Sequence, residues 1–400
     1  MTRFRLTFLT EAVGILAAAA AVLAAPHLVA AQDVKNVTIA YLSQVVERPP
    51  KLSNLDLPPQ DEGSQGGVLA IKDNNTTGSF LKQHFELVEE SVAADGDPIA
   101  AFEALAAQGI RFVILNVPAK TLLQIADLPS ARDVLLFNAG APDDSLRNED
   151  CRANVLHLMP SRAMLSDGLA QYLIKKRWRE WFVVVGRRES DRLFAEAIRR
   201  SAKRFGGKIV EEKTWDYGPD VRRTAQAEVP AFTQGVDADL ILVADEIGEF
   251  GEYLVYRTWQ PILVVGTQGL SPTSWHRTHE QWGAAQLQSR FEKMTGRRMT
   301  PLDYHVWGPI RAIGEAATRT NSTDFDKIVA YLKGPDFELA GFKGQKLTIR
   351  PWNGQLRQPI LLAAPKALVS VSPQDGFLHE HSLLDTLGYD EQESRCRDYR

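Results

Sequence analysis

Cysteine is nearly absent: Cys151 and Cys396 stand alone among 400 residues, and no Cys-x-x-Cys pair occurs. Two thiols cannot build a Cys-rich metal site, and a dithiol redox motif is excluded. No block of Lys and Arg interrupts a formal charge of -4, which argues against the concentrated basic surface of a nucleic-acid partner. A Gly-x-Ser-x-Gly elbow, a phosphate-binding Gly-rich loop with Lys and a His-Glu-x-x-His helix are all missing, so the common hydrolase, nucleotide and zinc-protease chemistries lack their residues. His276 with His279, and His379 with His381, have a spacing that suits a metal, but neither pair has further ligands nearby. They read as surface histidines, and no metal and no catalytic residue are expected.

Long apolar runs are also missing, except at the start. Arg3 and Arg5 precede an Ala-rich stretch from Ala12 to Ala25, and Val29-Ala30-Ala31 offers small residues for cleavage. Residues 1–31 therefore read as a secretory signal, with the mature chain beginning at Gln32. A retained membrane anchor is the alternative, because the stretch approaches spanning length, but Pro26 and His27 break it. No Cys lies near the cleavage point, so a lipid anchor is not expected. A periplasmic protein with no membrane insertion after signal removal follows, and in an oxidising compartment Cys151 and Cys396 can pair. That bond would staple the tail to the body, on the order of 5 kcal/mol for so long a loop; two unpaired thiols are the alternative.

A 44% hydrophobic content with 24% charged residues suits a globular chain longer than one typical domain. Short apolar runs alternate with amphipathic stretches, as when parallel strands are joined by crossover helices. The sequence predicts strands at Val37–Leu42, Phe85–Ser91, Arg111–Asn116, Val134–Asn138 and Val155–Met159, with helices at 67–74, 98–108 and 119–126 between them. After a helix at 161–176 the alternation restarts, with strands at Trp181–Gly186, Lys208–Glu212, Leu240–Ala244 and Ile262–Gly266 and helices at 190–205, 222–232 and 249–256. Helices at 280–295, 301–318 and 324–333 return to the first half, and late strands at 346–350 and 359–363 imply a third crossing. The fold class is α/β: two Rossmann-like lobes with parallel sheets joined by a three-segment hinge. The expected lobes are 34–158 plus 270–340, and 159–269 plus 341–365. Residues 50–67 read as a long loop and 366–400 as a polar tail.

In open parallel sheets ligands gather outside the carboxyl ends of strands. The residues there are Asn116 through Lys120, Asn138 through Ala141, Gly186 through Glu189, Asp245-Glu246 and Thr267-Gln268-Gly269. Gln65-Gly66-Gly67 through Asn74-Asn75, and Asn138-Ala139-Gly140-Ala141-Pro142-Asp143-Asp144, resemble the corresponding stretches of type I periplasmic binding proteins of the branched-chain amino-acid receptor kind. The long loop after the first strand, the run Ile114 to Asp127, and Phe377-Leu378-His379 with Leu384 through Tyr389 resemble one subgroup. Its members are ABC-transporter binding proteins associated with alcohol oxidation by enzymes that use pyrroloquinoline quinone (PQQ).

The resemblance implies capture of a small ligand between lobes that close by a hinge, by a monomer that needs no cofactor. Partners would be an ABC permease or a PQQ-dependent dehydrogenase. A branched-chain amino-acid import receptor and a ligand-sensing partner of a regulator are the alternatives. Relatives of this kind hold an amino-acid carboxylate with hydroxyls, and Asn116, Pro118, Lys120, Asn138, Ala139 and Gly140 are poor in them. Lys120, Arg187 and Arg188 could instead pair with carboxylates, while Trp215, Tyr217 and Trp275 could stack on a flat molecule. PQQ, a planar tricarboxylate, would use both. The expected ligand contacts are thus Asn116, Lys120, Asn138, Ala139, Arg187, Arg188, Trp215, Tyr217, Asp245, Gln268 and Trp275.

Overall fold

The computed structural model describes residues 34–47, 57–216, 218 and 221–399. The expected signal at 1–31, Tyr217 and the first part of the loop expected at 50–67 lie outside the described residues, and the last residues of that loop, from Ser64 on, are helical. No helix among the described residues is long and apolar enough to cross a membrane.

The first sheet contains β1 (Lys35–Gln44), β2 (Gln83–Val92), β3 (Phe112–Asn116), β4 (Leu135–Asn138) and β5 (Val155–His157). All pairs are parallel, in the order β2-β1-β3-β4-β5. The crossovers are α1 (Ser64–Leu81), α2 (Pro98–Ala107) and α3 (Ala119–Ala126). Asp97 caps α2 by accepting from the amides of Ile99 and Ala100, and Pro98 fills a first-turn position where no donor is needed. The centre of β1 and most of β3 are buried without alternation, because both faces of the sheet are covered. Phe102, Leu105, Leu122 and Ile125 cover one face. The other is covered by α1 and by α8 (Ala284–Thr295), α9 (Pro301–Arg319) and α10 (Phe325–Lys333), which bring Leu287, Phe291, Ile310 and Ile328 against Ile39 and Phe137.

The second sheet repeats the scheme with β6 (Glu180–Val185), β7 (Lys208–Thr214), β8 (Leu240–Ala244) and β9 (Leu263–Gly266) in the order β7-β6-β8-β9. Helices α4 (Arg162–Lys175) and α5 (Glu189–Phe205) cover one face, and α6 (Val221–Thr233) and α7 (Gly251–Arg257) the other. The chain is thus an α/β fold of two lobes with parallel sheets, as the alternation implies. In each lobe the strand order reverses beside the first strand, so the crevice at the carboxyl ends opens there.

Two expected lobe boundaries move. Strand β10 (Ser271–Thr273) pairs antiparallel with β13 (Ile360–Ala364), which pairs with β14 (Ala367–Ser372). The second lobe therefore keeps the chain through Thr273, and Trp275 enters the first core. The late strand expected at 346–350 shrinks to β12 (Lys346–Leu347), paired with β11 (Leu339–Ala340). Leu347 and Leu356 lie in the first core and Ile360 and Leu362 in the second, so the third crossing falls between Leu356 and Ile360. Strand β10 takes a partner far away in sequence, and strands of two or three residues have no local periodicity to betray them.

The tail is not merely polar: β14 extends the second lobe, and Leu384 and Leu387 are buried. Cys151 and Cys396 form a disulfide with an S–S distance of 2.06 Å.

Candidate functional site

The carboxyl ends of the two parallel sheets face a common cleft of about 820 Å³. The first lobe contributes Asn116, Pro118 and Ala119 after β3 and Ala139 through Asp143 after β4; the second contributes Glu189, Ser190, Leu193 and Phe194 after β6, Glu246 and Ile247 after β8, and Thr267 after β9. Met159, Leu165, Pro272 and Leu302 add apolar surface, and Glu62 and His305 complete the rim.

In each lobe one strand end is held by a buried side chain that captures backbone amides. In the first lobe Asn138 Oδ1 accepts from the amides of Gly140 and Ala141 at 3.2 and 2.9 Å, and Asn138 Nδ2 donates to the Ala141 carbonyl. Gly140 has no room for a side chain, because a Cβ there would meet Asn116 Oδ1 and the Asn116 backbone. In the second lobe Asp245, 1% exposed, accepts from four amides, Gly248 and Glu249 on one oxygen and Phe250 and Gly251 on the other. Both loops are preorganised, and the amides bound this way are not open to a ligand.

At the floor Arg162 extends from the start of α4. Its guanidinium donates to both oxygens of Glu246 at 2.8 Å and lies 3.1 Å from Asp143 of the first lobe. Burial depresses this guanidinium, but the hydrogen bond and charge of Glu246 outweigh it and hold the group above its ordinary pKa. Carboxylates from both lobes thus surround the cation, although Nη1, the atom nearest Asp143, makes no hydrogen bond. His305 contacts Ser274 Oγ at 2.6 Å, and burial, aided by the Lys343 cation, pushes it down to about 3. It is neutral at physiological pH. Ser190 Oγ is buried with no hydrogen-bond partner at the second-lobe wall.

Of the expected contacts, Asn116 and Ala139 line the cleft. Asn138 and Asp245 lie directly beneath it, as supports for the loops. Lys120 is exposed on α3 and outside the lining. Arg187 pairs with Asp216, and Arg188 with Glu249, and neither is among the residues that line the cleft. Trp215 is 3% exposed and stacks on Phe232 in the second-lobe core. Trp275 is wholly buried and stacks on Tyr304 at 4.6 Å in the first-lobe core. Neither ring reaches the cleft, and Tyr217 lies outside the described residues. Gln268 packs beside Gly251, away from the lining. Sequence reasoning missed Arg162, Ser190, Phe194 and His305; Ser190 and Phe194 could have been found by following the first turns of the helix after β6.

Residues 61–367 match a family model described as periplasmic binding protein. No match was found among curated proteins. A branched-chain amino-acid ABC transporter periplasmic ligand-binding protein from Burkholderia xenovorans superposes with a TM-score of 0.70 at 18% identity, over 91% of this chain and all of that one. A solute-binding protein of an ABC transporter from Rhodopseudomonas palustris, in complex with 3,4-dihydroxybenzoic acid, gives 0.61 at 15% identity, over 82% of this chain and 93% of that one. An ABC-transporter substrate-binding protein from Desulfitobacterium hafniense in complex with Leu gives 0.63 at 16%, over 84% and 99%. At such identities the likeness is one of fold.

Proposed function

Because the chain belongs to the periplasmic binding protein family, we propose that its interlobe cleft captures one small solute of zero or positive net charge for hand-over to an ABC-type permease. One observation carries the charge assignment. Arg162 is the single Lys or Arg among the described lining residues, and the carboxylates of Glu246 and Asp143 already compensate its charge. A polyanion entering this cleft would lose hydration without gaining a cation. PQQ, and with it a PQQ-dependent dehydrogenase as partner, is therefore disfavoured.

The lining suits a smaller ligand with an apolar body. Leu165, Leu193, Phe194 and Pro272 supply an apolar wall, Ser190 an unpartnered hydroxyl just beneath it, and Glu246 and Asp143 the acidic side for an amine. Helix α3 starts without a side-chain cap behind Pro118, so its first amides can receive one carbonyl or carboxylate oxygen. A zwitterion such as the leucine bound by the Desulfitobacterium hafniense protein meets all of these demands. The secretory pattern of residues 1–31 supports a periplasmic location.

Titration calorimetry with leucine, a primary alkylamine and PQQ tests the assignment. Submillimolar binding of leucine or the amine, with a smaller radius of gyration in solution scattering as the lobes close, is the expected result. Tighter binding of PQQ than of either would overturn it.

A further inference from the structure

The C-terminal segment does not stay on one lobe. Asp385 holds Arg350, which precedes the third crossing, and Arg357, which lies in it, at 2.9 and 2.8 Å. The next residues dock on the second lobe: Thr386 accepts from Gln171, and Leu387 is buried in the core around α4. Gly388 donates to Asp167 while its carbonyl accepts from Arg200 and Arg204. Glu393 returns to Arg200 at 2.8 Å. Two residues later the chain is on the first lobe, where the Arg395 amide donates to Asn148 and Cys396 is bonded to Cys151. Tyr399 closes the segment with a hydrogen bond from its hydroxyl to the Val155 carbonyl.

Glu393 and Arg395 are thus fixed to opposite lobes with only Ser394 between them. An extended chain reaches at most about 3.6 Å per residue, so this connection has almost no slack. The segment also borders the interlobe space: a second cavity of about 270 Å³ is walled by Tyr389 and Arg395 on the tail side and by Asp143, Arg162 and Leu193, which the main cleft shares.

We propose that residues 383–399 form a tether, closed covalently through Cys151 and Cys396, that limits how far the two lobes open. The tether is a fourth connection beside the three hinge crossings. By excluding widely open states it keeps the solute-free protein near its closing geometry, and a larger closure-competent fraction raises apparent affinity in proportion.

Solution scattering and hydrogen exchange on the solute-free protein test this with a C151S/C396S variant and with E393A, which leaves the disulfide intact. The tether predicts a larger radius of gyration for C151S/C396S and about tenfold faster exchange at 158–161 and 356–360 as those crossings lose protection, with the central strands β1 and β6 unchanged. E393A shows the same changes in smaller measure, and carries the test alone if the double variant does not fold. An unchanged profile in either variant, once its tail amides exchange freely, would overturn the proposal. The proposal rests on a hinged, two-lobed binder, but both readouts are taken without solute, so failure of the ligand assignment would show separately, in calorimetry.

Discussion

The two lobes share a strand order and solve the same problem with different chemistry. At the end of β4 the neutral amide of Asn138 ties two amides and one carbonyl of its own loop; at the end of β8 the carboxylate of Asp245 ties four amides. The first arrangement leaves a small-residue surface of Ala139, Gly140 and Ala141 facing the cleft. The second places Glu246 one residue further on, where it pairs with Arg162. A residue at the strand end thus supports the loop, and the residue after it, Ala139 or Glu246, lines the cleft.

Replacing both supports breaks the comparison most sharply. Asp245→Ala strands four amides near the cleft floor and is expected to cost roughly 4 kcal/mol in denaturant unfolding, since each bond to a charged acceptor is worth about 1.5–3 kcal/mol and such terms are not additive. Asn138→Ala breaks fewer and neutral bonds, and about 2 kcal/mol is expected. Equal losses would remove the distinction between the lobes.

Acid sharpens the same contrast, because the buried histidines belong to the first lobe. His305 and His157 are both held down chiefly by burial, His305 to about 3. Unfolded, each titrates near 6.5, so below that pH the unfolded chain binds protons the native state refuses. Their contribution is complete above about pH 6.5 and is lost as pH falls toward the folded values; His305 alone accounts for roughly 3 kcal/mol by pH 4.5. A melting temperature that does not fall between pH 6.5 and 4.5 would contradict this, and His305→Gln should flatten part of the slope.

The strands and crossover helices were legible in the sequence because each sheet is covered on both faces, so that apolar runs such as Phe112–Leu115 and Leu240–Ala244 announce themselves. The expected ends of α3 and β8 coincide with those observed. The site was less legible, because neighbours at a strand end diverge. Arg187 and Arg188 pair with Asp216 and Glu249, acids contributed by other strand-end loops, and neither lines the cleft. Trp275 is taken by Tyr304, which α9 brings into the first core. The tail was least legible: the partners that order it, Asp167, Arg200 and Arg350, lie far from it in the chain, and nothing local in residues 383–399 signals them.

Native mass spectrometry of the protein isolated from the cells that make it tests the central claim most directly. The account predicts one bound small molecule per chain which, released and identified, is neutral, zwitterionic or basic. A bound polycarboxylate such as PQQ would contradict it.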